Sequence, residues 1–186
     1  MKLLYSPLSL FIAFLYLFSN TADLQAQAFM AKDGYVEFKS EVPLHSFKGK
    51  SNNLVGKIDL DEKTVDFYVD LATLKTGNEK RDKDMRETLE ASEYPFAEFF
   101  GELVSDFDIN SSQAQQATAK GDFTVHGVTN TIEVTGTLQK VDEGLKLTAE
   151  WVILLTDYDI EPPGILFYKV DDDQDVAIEI FLQPVN

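Results

Sequence analysis

The chain has 186 residues, a formal net charge of −16 at pH 7 and no cysteine. An acidic surface repels nucleic-acid phosphates, so nucleic-acid binding is not expected, and the lack of thiols excludes disulfide frameworks and thiolate metal sites. Net charge does not describe any single patch, so transient membrane contact through a local apolar opening stays open.

The N-terminal segment predicts a secretory signal peptide over residues 1–26. A basic residue is followed by an apolar run at residues 8–18 and then by small and polar residues. The run is shorter than the roughly 20 apolar residues that a spanning helix needs, which favours a cleaved leader. We therefore expect cleavage after Ala26 or Ala28, a periplasmic or secreted location, and one folded domain over residues 27–186.

Alternation of apolar and polar residues predicts half-buried strands along most of this domain. Val65, Phe67 and Val69, for example, are separated by Asp66 and Tyr68. A further strand is predicted over residues 96–104. The other rows contain the apolar residues Val36 and Phe38; Leu54, Ile58 and Leu60; Phe123 and Val125; Ile132, Val134 and Leu138; Leu145, Leu147, Ala149, Trp151 and Ile153; and Val176, Ile178, Ile180 and Leu182. Together the rows predict about eight strands.

One amphipathic helix is predicted between residues 78 and 90. Met85 and Leu89 are four residues apart, so a helix places both side chains on one face. Asn78 can cap the first turn by accepting a hydrogen bond from a backbone N–H, and Pro95 is expected to end the helix.

Composition and turn residues predict three of the connections. Residues 110–119 are rich in Ser, Gln and Ala without periodicity, so we expect a loose loop. Residues 127–130 are expected to form a tight turn, with the His126 side chain before it pointing outward. The two prolines of residues 161–164 lack backbone donors and exclude a central strand there.

The residues alone leave two architectures open. Eight antiparallel strands form either a closed barrel, which is filled or holds one small ligand, or a two-sheet sandwich. Alternation has the same period in both, so it does not separate them.

Three ordered motifs stand out from the helix to the middle of the chain. They are Thr73-Leu-Lys-Thr76 with Arg81-Asp82, Tyr94-Pro95 followed by Phe99, and Gly121-Asp-Phe-Thr124 with Gly127-Val-Thr129. In this order they resemble the YceI family, and the likeness extends over about residues 33–185. The chain departs from many members at Asp84, where they carry a histidine.

The resemblance implies a fold and a ligand. It implies a single all-β, antiparallel, lipocalin-like barrel of about eight strands with one short helix beside it. It also implies an apolar lumen that binds a polyisoprenoid or another long-chain lipid without a cofactor. The inward rows supply the predicted lining, which consists of Phe38, Ile58, Phe67, Val69, Phe99, Phe123, Val125, Ile132, Val134, Leu147, Trp151, Ile178 and Ile180.

An alternative function is a structural or protein-interaction module with a filled core and no lipid. Whether the interior holds space for a ligand separates this from the carrier. An enzyme is not expected, because the inward rows are almost wholly apolar and the histidines, His45 and His126, accompany no nucleophile motif. No metal site is predicted either, since the acidic run at residues 171–175 lacks the glycine and spaced glutamate of a calcium loop. The oligomeric state stays open, and a dimer is compatible with the sequence.

Overall fold

A computed structural model describes residues 28–42, 45–162, 164–165 and 168–185. The signal peptide predicted over residues 1–26 lies outside these ranges. Within them, no helix combines the length and the apolar character needed to cross a membrane.

Ten strands and one α-helix make up most of the described chain. Their bounds are β1 (Ala28–Val42), β2 (His45–Asp59), β3 (Thr64–Asp70), α1 (Glu79–Thr88), β4 (Phe96–Leu103), β5 (Gln115–Val125), β6 (Val128–Val141), β7 (Gly144–Leu154), β8 (Gly164–Ile165), β9 (Tyr168–Lys169) and β10 (Asp173–Pro184). Eight strands close into a barrel in the order β1-β10-β7-β6-β5-β4-β3-β2, while β8 and β9 form a separate ribbon. Every neighbouring pair is antiparallel. The predicted lipocalin-like barrel with one short helix is thereby confirmed.

The strands follow the predicted alternation most clearly in β3. Val65, Phe67 and Val69 are buried, whereas Asp66 and Tyr68 face solvent. A strand turns successive side chains to opposite faces, so the apolar row enters the barrel and the polar row covers it.

Two predicted connections differ from the structure. β5 already begins at Gln115, so the loop predicted over residues 110–119 is wrong in its second half. The segment alternates small apolar residues with polar ones, which suits a barrel strand as well as a loop. The turn predicted over residues 127–130 is too long, because His126 and Gly127 alone connect β5 to β6, with φ values of 55° and 73°. Two consecutive residues with positive φ are typical of a tight hairpin turn.

The helix begins as predicted and ends earlier than predicted. The Asn78 side chain accepts a hydrogen bond from the backbone N–H of Arg81 at 3.1 Å. At the other end Glu90 adopts a φ of 47°, and the N–H of Ala91 donates to the carbonyl of Arg86 at 3.0 Å. A left-handed residue with this backward bond ends the helix well before Pro95.

The two ends of the barrel differ. Antiparallel order brings α1, the His126–Gly127 turn, a 3₁₀ segment at Leu155–Tyr158 and the β8–β9 ribbon to one end, which we call the open end. The opposite end, which we call the packed end, is filled by side chains that are at most 5% exposed. These are Phe29, Leu138, Leu145, Ile180 and Leu182.

Candidate functional site

The barrel encloses a cavity of about 910 Å³ that all eight barrel strands and α1 line. This volume lies near the top of the range of roughly 300–1,000 Å³ that small-molecule sites occupy. Most of the lining side chains are aliphatic or aromatic. The interior can therefore take up a sizeable apolar molecule.

A row of small residues creates much of this space. Ala117 of β5 pairs with Gly136 of β6, which pairs in turn with Ala149 of β7. All three face the cavity. None of the three carries a side chain larger than a methyl group. This small-residue row therefore leaves space in the lumen that larger side chains such as leucine would fill.

Eleven of the thirteen residues predicted for the lumen line the cavity. Their contact with a ligand stays a prediction. Ile180 points inward but is 1% exposed within the packed end. Ile132 instead packs near the open end against a second cluster that contains Tyr158 and Ile160. The eleven lining residues are Phe38, Ile58, Phe67, Val69, Phe99, Phe123, Val125, Val134, Leu147, Trp151 and Ile178.

Sequence reasoning missed several lining residues, and three groups of them shape the site. The first is one face of α1 and its C-cap, with Met85 and Leu89; their shared face was predicted, but its position over the lumen was not. The second comes from the connection after β7, where Leu155, Ile160 and Val170 are buried. The third consists of two buried polar residues, Ser40 and Gln174. Alternation could have found both polar residues, because each continues an inward row.

The cavity reaches solvent beside α1. The exposed members of its lining include Tyr68, Lys80 and Asp84, and the last two form an ion pair at 2.5 Å. Arg81 and Phe47 also line the cavity, and the Arg81 guanidinium lies 4.6 Å from the centre of the Phe47 ring. The mouth is thus charged where the interior is apolar.

Asp82 attaches α1 to the barrel rim. Its Oδ1 accepts hydrogen bonds from the backbone N–H of Thr76 at 2.7 Å and from the Thr76 hydroxyl at 2.6 Å. These two donors stabilise the carboxylate and hold the pKa of Asp82 below its usual value. Asp82 is 7% exposed and does not line the cavity, so its role here is to orient the helix.

His126 does not point outward as predicted. Its side chain is 14% exposed, and its Nδ1 lies 3.0 Å from the carbonyl oxygen of Tyr158. Its Nε2 lies 3.5 Å from Glu90 beyond the end of α1, and the Tyr94 ring packs against it edge-on at 5.7 Å. The positive φ of this turn residue redirects its side chain, so His126 joins three segments of the open end instead of following the strand alternation.

The cavity lining contains few side chains that could take part in catalysis. The ionisable lining residues are Tyr68, Lys80 and Asp84, which are exposed, and Arg81, which is half-buried. Over the ranges that the structure describes, no group of three or more His, Asp or Glu side chains could hold a metal ion. The arrangement favours binding by shape and apolar contact.

A closed antiparallel barrel around an apolar cavity is the form of the small barrels that hold a single ligand, such as the lipocalins. Within this class, the chain belongs to the YceI-like domain family, whose model matches residues 28–182. Among curated protein sequences, none matches the chain significantly.

Solved structures share the fold. A polyisoprenoid-binding domain from Saccharophagus degradans is 16% identical, with a TM-score of 0.72 over 87% of this chain and 100% of that one. BcnA from Burkholderia cenocepacia is 15% identical, with a TM-score of 0.66 over 80% and 94%. The YceI protein from Campylobacter jejuni is 16% identical, with a TM-score of 0.55 over 100% and 99%.

Proposed function

We propose that this protein is an exported carrier or buffer that binds a polyisoprenoid or another long-chain lipid in its barrel lumen, without chemistry on the ligand. The observation that carries the proposal is the apolar cavity of about 910 Å³, which extends from the packed end to α1. The Saccharophagus degradans domain that shares the fold is described as polyisoprenoid-binding, which supports this class of ligand.

The size of the cavity favours a long ligand over a short one. Moving apolar surface out of water releases roughly 25 cal/mol per Å², so a chain that buries about 400 Å² gains roughly 10 kcal/mol. Association itself costs an estimated 4–15 kcal/mol, or more. A short chain therefore gains too little to stay bound, whereas a chain that fills the lumen can be carried through water.

The cavity also weighs against the alternative of a filled interaction module. A core packed to normal protein density holds few voids larger than a water molecule. This lumen is far larger, and its small-residue row keeps it open.

Lipid content is tested by native mass spectrometry with lipid extraction, on protein purified without detergent from the compartment to which the host exports it. One bound isoprenoid or acyl species per chain is the expected result. A mass that stays ligand-free after incubation with polyprenols, quinones and fatty acids would overturn the carrier and favour the interaction module. The same spectrum tests export, because processing after residue 26 or 28 fixes the mass of the mature chain.

A matched pair of variants tests where the lipid lies. Ala149→Phe places a ring in the cavity beside Gly136, and we expect it to lower lipid occupancy by about tenfold or more while the barrel stays folded. Thr148→Phe adds the same ring on the outer face of β7 and should leave occupancy unchanged. Equal occupancy in the two variants would mean that lipid binds outside the lumen.

A further inference from the structure

Phe100 is a large apolar side chain that faces water on the outer wall of the barrel. It lies in the middle of β4 and is 62% exposed, more than any other large apolar side chain that the structure describes. It does not line the cavity, so neither the core nor the lumen accounts for its position. Single exposed apolar residues are common, so the surroundings of Phe100 decide whether it has a role.

Four exposed carboxylates surround Phe100 on the same face of the sheet. Asp66 of β3 and Asp122 of β5 are its direct partners on the two neighbouring strands. Glu98 and Glu102 stand two residues before and after it on β4. Strand spacing and rise put their Cα atoms about 5–7 Å from that of Phe100. We call these four residues the acidic ring.

The acidic ring is not neutralised by its own chain. Two lysines border it, Lys57 opposite Asp66 and Lys120 opposite Glu102. Lys57 pairs instead with Asp59 at 3.5 Å, and within the described ranges no carboxylate of the ring forms an ion pair. Four carboxylates against two lysines leave this face acidic around its exposed aromatic ring.

The chain supplies a cation to two other phenylalanines. The Nζ of Lys146 lies 5.0 Å from the centre of the Phe181 ring, which is also exposed on the outer wall. The Arg81 guanidinium lies over Phe47 in the same way. An aromatic face attracts a cation because the ring carries negative charge on its faces, and nearby carboxylates add to that attraction. Over the part of the chain that the structure describes, no Lys or Arg lies over Phe100, so a cation from another molecule can approach its ring.

Two more aromatic rings connect this face to the mouth of the cavity. Tyr68 stands opposite Glu98, diagonally beside Phe100, and is one of the exposed residues of the mouth. Its ring contacts the exposed ring of Phe96 edge-on at 5.7 Å. Aromatic side chains with a polar rim are typical of protein docking surfaces. A protein that docks on Phe100 would therefore stand beside the mouth.

We propose that the outer face of β3, β4 and β5 docks a partner protein that places an arginine or lysine over the Phe100 ring, between the carboxylates of the acidic ring. The ring repels anionic lipid headgroups and phosphates, which favours a protein over a membrane or a nucleic acid. Charge attracts the partner and sets its orientation, while the aromatic side chains supply the apolar contact. Docking itself does not require the carrier function. Taken with that function, on which this last step rests, the partner donates lipid to the mouth or accepts lipid from it.

Two peptides of equal length test the proposal: acetyl-Leu-Arg-Leu-Arg-Leu-amide and its analogue with citrulline, an uncharged isostere, in place of arginine. NMR titration at low salt measures the dissociation constants and locates the contact. We expect the arginine peptide to bind the native protein about tenfold more tightly than the citrulline peptide, with the shifts centred on β4. Phe100→Thr should weaken its binding roughly threefold to tenfold. The double variant Glu98→Gln/Glu102→Gln should weaken it as well and reduce its salt dependence.

Matched controls separate this face from exposed rings and net charge in general. Phe181→Thr removes the exposed ring that has a lysine of its own, so it should leave peptide binding unchanged. Asp142→Asn/Glu143→Gln removes two exposed carboxylates from the turn between β6 and β7, which matches the loss of charge without touching the acidic ring. All of these side chains lie outside the cavity lining, so lipid occupancy should equal that of the native protein.

The outcomes are distinct. Equal affinity for the two peptides, or shifts centred on the acidic run at residues 171–175, would overturn the docking face. Equal weakening by the two double charge variants would reduce the effect to net charge and overturn it too. Dimerisation that Phe100→Thr abolishes, measured by analytical ultracentrifugation, would assign the face to a second copy of this chain and overturn the separate partner. Each of these results leaves lipid occupancy unchanged, so the docking face can fail while the carrier stands.

Discussion

The packed end and the cavity are built from similar apolar residues, yet one is solid and the other is hollow. At the packed end, Phe29, Leu145 and Leu182 fill the barrel between them. Farther along the axis, the small-residue row of Ala117, Gly136 and Ala149 leaves the middle open. Side-chain volume along the inner wall, and not hydrophobicity, therefore decides where this barrel has a core and where it has a binding site.

The two regions also differ in how they are held together. The packed end is held by close-packed side chains that are almost completely buried, among them Leu138 and Ile180. The open end depends on a few specific contacts, among them Asp82 with Thr76 and His126 with Tyr158. Few contacts and low local stability are typical of elements that move when a ligand enters. The open end is therefore where we expect ligand exchange.

The largest predicted effect contrasts one isoleucine from each region. Ile180→Ala removes a side chain that packs against Gly34 and Gly56, and we expect a loss of about 2–5 kcal/mol in the free energy of unfolding. Ile153→Ala should cost less than half as much, because that side chain already borders empty volume. Urea unfolding monitored by circular dichroism measures both. Equal losses would mean that the cavity wall is as tightly packed as the packed end.

The next prediction concerns the attachment of α1. Asp82→Asn removes a charged acceptor from the two Thr76 donors, and we expect a loss of about 1–3 kcal/mol at pH 7. Because the folded-state pKa of Asp82 lies below its unfolded value of about 3.9, this stabilisation is present above about pH 4 and disappears as the pH falls through the folded pKa. The native protein and the variant should thus converge in stability in acid.

The control for Asp82 is Glu87→Gln, which removes a carboxylate that is exposed on the same helix. It should change stability little at any pH. A difference between native protein and Asp82→Asn that stayed constant from pH 7 to pH 2 would show that the carboxylate charge is not what Thr76 recognises.

A smaller effect is expected at the turn of the open end. Gly127 has a φ of 73°, and a Cβ there would collide with the Tyr94 ring. Gly127→Ala should cost about 1–2 kcal/mol for the backbone conformation, with Tyr94 displaced from His126 as well. Gly164→Ala, where a Cβ would meet no atom within 4 Å, should be nearly neutral in the same thermal unfolding experiment. Similar melting temperatures for the two variants would exclude the proposed strain.

Much of the fold could be predicted because strand alternation and helix capping are local. Val65, Phe67 and Val69 face inward as predicted, and Asn78 caps the helix. Alternation reports only whether a side chain points inward, however, and not how far along the barrel axis it lies. Ile180 was therefore predicted for the lumen although it belongs to the packed end.

The unpredicted part of the site depends on contacts between distant segments. Leu155 and Ile160 line the cavity because their connection folds back over the open end, which no local pattern indicates. His126 is drawn inward by Tyr158, 32 residues later in the chain. The small-residue row was not predictable from the sequence either. Ala117 was assigned to a loop and Gly136 to a strand, and no local pattern indicated that the two residues pair across neighbouring strands.

The smallest predicted effect tests how firmly the first turn of α1 covers the mouth of the cavity. Asn78→Ala removes the hydrogen bond to the N–H of Arg81, and caps of this kind are worth about 1 kcal/mol. Asn78→Gly should cost only a few tenths of a kcal/mol, because glycine adopts the cap conformation and lets water reach the free N–H. If lipid leaves the cavity by displacement of α1, the alanine variant should also release bound lipid several times faster than the glycine variant. Transfer of lipid to acceptor vesicles measures this rate. Unchanged release despite a measured loss of stability would place lipid exit elsewhere on the rim and restrict α1 to a structural role.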